Sequence, residues 1–274
     1  MVLFQTTILG SSAAMPTSER HTSSQLVRHH NKLFLIDCAE GCQMQLRRFK
    51  QPFSKIDHIF ISHLHGDHYL GLPGLLFTYH LLGRQNDLHI YAPAGLEEII
   101  RIQIETADLI PSYKLVFHEI FEGGQPLYED KWLTAETMAM EHRIPTFGFI
   151  LKEKPGHPHE GKAGPRSYGI GSDTAYTESF LSQIRGVDLL YHEATFMHDD
   201  AVLAREKYHS TTVEAALLAK KALAGRLLLG HYSARYKETD AYLDEARQFF
   251  TDTLLALEGE TIAVRDHAPK KTKA

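Results

Sequence analysis

The sequence predicts an α/β protein, α+β in the strict sense, in which two β-sheets pack together and helices cover the outside. Strand patterns fill both halves of the chain, and segments with helical spacing of apolar residues close each strand-rich stretch. The final third alternates helix and strand. Several strand patterns also stop at a histidine or an aspartate, which gathers polar chemistry along one edge of such sheets.

Each element follows in order. Residues 2–9 read as a first strand closed by the turn cluster Gly10-Ser11-Ser12, and a loop over 13–24 carries Pro16, Arg20 and His21. Residues 25–30 and 32–37 form a hairpin turning at His30-Asn31. A helix is expected over 39–50, with Met44, Leu46 and Phe49 partly buried and Arg47, Arg48 and Lys50 exposed. The apolar run 56–61 reads as a buried strand, and 69–82 as a helix whose first turn is loosened by Gly71 and Pro73. A short strand over 88–91 precedes the Pro93-Ala94-Gly95 turn. Ile99, Ile100, Ile102 and Ile104 then supply the apolar positions of a helix over 96–107.

Strands are expected over 113–120, 125–128, 132–141 and 147–152, with a turn at Gly123-Gly124. Residues 154–166 are too rich in Gly and Pro for regular structure and form a loop. Strands return over 167–171 and 187–192. Helix 213–224, strand 226–230, helix 239–250 and strand 261–264 complete the chain, and Thr211 with Glu214 makes a capping box. No repeat or linker divides residues 1–274, which read as one domain with a frayed basic tail at 269–274.

Composition narrows the function. With 274 residues, 43% of them hydrophobic and 23% charged, the chain is an ordinary globular protein with ample core. A formal charge of −5 gives no bulk attraction to nucleic acid, so any polyanion must meet a local patch. Cys38 and Cys42 are four apart on the expected helix, where they serve as packing residues and fit a reducing compartment. No apolar run is long enough to cross a membrane. Residues 1–9 lack the basic start of a signal peptide, so a cytoplasmic location is expected.

The chemistry centres on Ser62-His63-Leu64-His65-Gly66-Asp67-His68, placed where a strand ends and a helix begins. In extended backbone His63 and His65 point to one side. A positive φ at Gly66 would turn the chain so that Asp67 and His68 approach the same point from the other side. Histidines this dense have no packing role, and imidazole with carboxylate is a ligand set for zinc, with manganese or iron also admitted. His142 leaves the strand before Ile144-Pro145, Asp173 follows a strand at a glycine turn, and His231 is delivered by a buried strand. Together these give two divalent metal ions. His63, His65, His142 and a bridging Asp173 hold one, and Asp67, His68, Asp173 and His231 hold the other.

These residues, with His192-Glu193-Ala194-Thr195-Phe196, Tyr208-His209-Ser210-Thr211-Thr212 and Leu9-Gly10-Ser11-Ser12-Ala13-Ala14-Met15-Pro16-Thr17, resemble the metallo-β-lactamase superfamily. Within it they look most like ribonuclease Z, the tRNA 3′-processing endoribonuclease family. Asp37-Cys38-Ala39-Glu40-Gly41 resembles that family's D-x-G-E-G segment with Ala39 in place of Gly. The resemblance implies a four-layer αββα sandwich with metals at one edge, a precursor tRNA substrate and a homodimer. It also implies a protruding tRNA-gripping arm between the counterparts of His142 and Asp173. Here only the loop 154–166 stands in that interval, so the arm is expected to be missing or vestigial. The family's Pro-x-Lys-x-Arg-Asn loop is matched at Pro16 and Arg20 and departs at Ser18 and His21.

The expected mechanism is in-line attack on phosphorus by a hydroxide held between two cations, leaving a 3′-hydroxyl and a 5′-phosphate. Asp67 would orient or deprotonate the water. His209 would stabilise the phosphate and protonate the leaving group, with Glu193 holding its ring. His29, His30, His58, His80, His89 and His118 are expected as surface or satisfied core residues, and His157 and His159 as loop residues without a metal role. Arg47, Arg48 and Lys50, with Lys152, Lys154, Lys162 and Arg166, are weighed as a solvated face or a phosphate-binding rim. The rival readings are a phosphodiesterase for a small substrate such as a cyclic nucleotide, a thioesterase or lactonase on the same scaffold, and a non-catalytic binding module.

Overall fold

The computed structural model describes residues 3–156 and 165–265. Along the chain come β1 (Phe4–Gly10), β2 (Ser24–His29), β3 (Lys32–Ile36), α1 (Cys42–Arg48), β4 (His58–Phe60), α2 (Gly66–Tyr69), α3 (Leu72–Leu81), β5 (Leu88–Pro93), α4 (Leu96–Thr106) and β6 (Leu115–Ile120). The second half runs β7 (Pro126–Glu129), β8 (Leu133–Ala139), β9 (Phe147–Glu153), β10 (Ser167–Ile170), β11 (Leu189–Glu193), α5 (Ala201–Lys207), α6 (Thr212–Lys221), β12 (Arg226–Gly230), α7 (Asp240–Arg247), β13 (Thr253–Leu255) and β14 (Thr261–Ala263).

Among the described residues the strands form two seven-stranded sheets, ordered β14-β1-β2-β3-β4-β5-β6 and β13-β12-β11-β10-β9-β8-β7. Each is half antiparallel and half parallel, with β3 to β6 parallel in the first and β10 to β13 parallel in the second. Alternate side chains of both sheets, including Phe34, Phe60, Tyr91, Phe149, Tyr168 and Leu228, meet in the central core. The other face of the first sheet packs under Leu46 of α1, Leu75 and Leu76 of α3 and Ile100 of α4. That of the second packs under Ala215 and Leu218 of α6 and Tyr242 of α7. The layers are therefore α, β, β, α. Each fully buried Phe or Leu contributes about 1.5–3 kcal/mol toward holding them together.

Several local expectations are corrected. The first helix begins only at Cys42, because Gly41 sits at φ 77° and Cys38 and Ala39 belong to the preceding loop; Cys38 and Cys42 are both buried and free but do not share a helix face. Met44 is exposed, since the short helix turns that position outward. The 69–82 helix is two helices, broken at Gly71, where a Cβ would lie 1.9 Å from the Ala39 carbonyl oxygen. In α4, Ile102 is exposed while Leu96, Ile100 and Ile104 carry the buried stripe. The elements α5 and β13 had no forecast. The 154–166 loop is described only at its ends, and His157, His159, Lys162 and the 269–274 tail lie outside the described residues. Among the described residues no helix is long and apolar enough to cross a membrane.

Candidate metal centre

The parallel strands of both sheets deliver their carboxyl ends to one edge, and the polar residues of the sequence motifs sit just beyond those ends. From the first sheet, β4 leads into His63, His65, Asp67 and His68. From the second, β8 leads to His142, β10 to Asp173, β11 to Glu193 and β12 to His231. Gly66 is the first residue of α2 and does not adopt a positive φ. The chain turns instead by starting a helix after His65, whose extended backbone (φ −72°, ψ 144°) makes it the N-cap. Asp67 and His68 then fall on the first helical turn. Left-handed backbone appears elsewhere at the site, at Ala14 (φ 59°), Asp37 (φ 55°), Tyr208 (φ 59°) and His231 (φ 61°). Non-glycine residues are uncommon in that region, and such strain gathers at functional sites.

The seven residues converge as two groups. His63, His65, His142 and Asp173 bring one ligand atom each within 4.8 Å of one another, and so do Asp67, His68, Asp173 and His231. Asp173 belongs to both through different oxygens: Oδ2 lies 3.6 Å from His63 Nε2, while Oδ1 lies 3.2 Å from His231 Nε2 and 3.5 Å from His68 Nε2. Asp67 Oδ2 lies 3.5 Å from His231 Nε2 and accepts the Ala14 N–H at 2.8 Å.

The opposite ring nitrogens are held from behind. His68 Nδ1 donates to Asp37 Oδ2 at 2.8 Å, and His142 Nδ1 donates to the Tyr208 carbonyl at 2.9 Å. The Ser62 hydroxyl donates to Asp37 Oδ2 and accepts from His63 Nδ1 at 3.0 Å. Likewise the Thr195 hydroxyl donates to Glu193 Oε2 and accepts from His231 Nδ1 at 2.9 Å. Each of these contacts fixes the orientation of its ring and turns Nε2 inward. Asp37, Ser62, Thr195 and the backbone of Ala14 and Tyr208 had not been singled out for this role. All five lie within the quoted motifs, which gave no sign of these roles.

The buried atoms His68 Nε2, His231 Nε2 and Asp173 Oδ1 have no hydrogen-bond partner. Leaving such atoms unsatisfied costs roughly 1–3 kcal/mol each, so they mark a place shaped for something else. Nitrogen and carboxylate oxygen aimed at two neighbouring points, with one carboxylate between them, suit a pair of divalent cations. Burial works against ionising Asp67 and Asp173, yet neighbouring imidazoles prevail and hold both carboxyl groups well below the usual range.

Beside this pair, His209 Nδ1 donates to Glu193 Oε1 at 2.9 Å. Glu193 also accepts from the N–H groups of Thr174, Thr195 and Ser210, so its carboxylate is fixed. Burial alone would lower the His209 pKa, but Glu193, followed by Asp173 and Asp67, lifts it to about 9. Of the cations weighed as a phosphate rim, three described ones are paired with carboxylates. Lys152 pairs with Glu136, Lys154 with Glu129 and Arg166 with Glu153.

Known proteins resemble the chain over nearly its whole length. Residues 32–232 match the beta-lactamase superfamily domain. The chain is 39% identical to ribonuclease Z of Bacteroides thetaiotaomicron, over 97% of each protein. It is 40% identical to ribonuclease Z of Phocaeicola vulgatus, over 98% of this chain and 100% of that protein. The crystal structure of human tRNase Z, short form, superposes with a TM-score of 0.81 at 32% identity, covering 95% of this chain and 99% of that one. Two mixed sheets flanked by helices, a histidine–aspartate edge and near-complete coverage by these relatives lead to one conclusion: the chain belongs to the ribonuclease Z family of the beta-lactamase superfamily, whose fold serves metal-dependent hydrolysis.

Proposed function

We propose that this chain is the endoribonuclease that removes the 3′ trailer from precursor tRNA, using two zinc ions. The observation that carries the reading is Asp173 turning one oxygen to each of two ligand groups, beside the His209–Glu193 pair. His63, His65, His142 and Asp173 would hold one cation, and Asp67, His68, Asp173 and His231 the other. Two divalent cations held there supply Lewis acidity and make water a nucleophile at neutral pH.

The protein's own groups do the remaining work. Asp67, anchored by the Ala14 N–H, orients the attacking water and draws its proton. His209 donates Nδ1–H to Glu193 Oε1, whose charge favours the imidazolium form of the ring. It stabilises charge on the phosphoryl oxygens and gives its proton to the departing 3′-oxygen. Glu193 keeps that imidazolium aimed and does not touch the substrate. Family membership also brings a homodimer and a cytoplasmic location into the proposal, the first checked by light scattering of the purified chain.

The test is purified protein with precursor tRNA and, in parallel, bis(p-nitrophenyl) phosphate, with metal content measured on the same sample. Cleavage leaving a 3′-hydroxyl on the tRNA, together with about two zinc ions per chain, is expected. Turnover of the small ester with intact tRNA would replace the substrate in this reading and keep its chemistry. Failure on both with metal loaded would end it.

A further inference from the structure

Tyr208 is an exposed aromatic residue on the lip of the metal centre whose ring has no part in the chemistry above. The residue, 40% exposed, follows α5 in left-handed backbone (φ 59°), and its carbonyl orients His142 while its ring stands edge-on to the His142 ring at 6.4 Å. The Arg143 guanidinium lies 5.7 Å from the ring centroid, and Arg143 Nη2 donates to the Glu206 carbonyl at 3.1 Å. The ring also borders an open space of about 390 Å³ along the outer face of α5, lined by Ala201, Val202, Arg205 and Glu206. Val202 is exposed there, with Arg205 and Glu206 placing one cation and one carboxylate beside it.

The left-handed backbone caps the C-terminus of α5 and aims the carbonyl at His142, and neither role calls for an aromatic ring at this position. An aromatic face with cationic neighbours is what a nucleobase binds, because stacking and phosphate attraction act together. A strand whose phosphate is held beside His142 passes the Tyr208 ring, whose centroid lies 6.4 Å from that of His142.

We propose that Tyr208 is a positioning residue on which the nucleobase next to the scissile phosphate stacks, in the open space shared with Val202 and Arg205. The inference rests on the RNA-cleaving reading and adds how the strand is held at the site. Stacking acts on binding more than on the bond-breaking step, so its loss raises KM.

The informative variant is Tyr208→Asn. Asparagine tolerates left-handed backbone, so the carbonyl behind His142 stays in place while the ring is removed. Steady-state cleavage of precursor tRNA by the zinc-loaded protein is compared for wild type, Y208N and Y208F, together with a substrate abasic at the nucleotide flanking the cleavage site. We expect Y208N to raise KM about 10-fold with kcat changed less than about 3-fold, and Y208F to keep the wild-type KM. Removing the base should cost wild type a similar factor and Y208N almost nothing, since the two changes delete one interaction. Wild-type cleavage with an unchanged KM in Y208N, or fully additive effects of variant and abasic substrate, overturns the inference alone. A wild-type protein that cuts no RNA overturns it together with the reading beneath it.

Discussion

At the scale of single residues, the carboxylates behind the ligands matter as much as the ligands. Asp37 accepts from His68 and from Ser62, and so fixes two of the converging rings at once, one directly and one through a hydroxyl. Asp37→Ala should weaken cation binding about 10–100-fold, read by competition with a chelator of known affinity. Glu193 acts on a different ring. His209→Ala should lower kcat about 10²–10⁴-fold at saturating substrate while metal analysis still finds both ions. A loss of metal in H209A would instead make His209 a ligand. The ligands themselves were legible because each occurs at a strand exit beside a glycine or proline. Asp37, Ser62 and Thr195 were not legible in these roles, since each acts on a residue distant in sequence or through a shared hydroxyl. No local pattern encodes such an approach.

Elements show the same division. Strands with alternating or continuous apolar runs stand where their patterns place them, and the capping box at Thr211 is complete, its side chain accepting from Glu214 N–H while Glu214 accepts from Thr211 N–H. Thr211→Ala should cost about 1 kcal/mol in urea unfolding, and more only if the loop carrying His209 loosens with it. What escaped the sequence was short or forced from outside. β13 has three residues, paired to β12, and α5 is a seven-residue helix whose Val202 faces solvent, so neither leaves an apolar period to read. The break between α2 and α3 has a tertiary cause. Gly71 N–H donates to the Cys38 carbonyl, and the loop around Ala39 leaves no room for a side chain. Gly71→Ala should therefore destabilise the protein by several kcal/mol and disturb His68, whose carbonyl accepts from Cys38 N–H.

For the whole molecule, the two sheets are joined by more than apolar packing. Glu153 on β9 is buried, accepts from His29 of β2 at 3.1 Å, and pairs with Arg166 at 2.6 Å. Burial favours its neutral form, but His29 and Arg166 outweigh burial and bring its pKa down to about 2. A folded pKa below the unfolded one means that this stabilisation is complete above about pH 4.5 and fades as the pH falls toward 2. The stability difference between wild type and Glu153→Gln, on the order of 3 kcal/mol at pH 7, should thus shrink steadily in denaturant melts taken from pH 5 to pH 2.

Asp173 and His142 come from one sheet, and His63 to His68 from the other. Cations seated among them would act as rivets through both plates, so filling the edge should strengthen the fold as well as arm it. Thermodynamic linkage then requires the melting temperature to climb with free zinc concentration and to drop on dialysis against EDTA. In Asp173→Ala, where the shared oxygen pair is gone, that response should flatten.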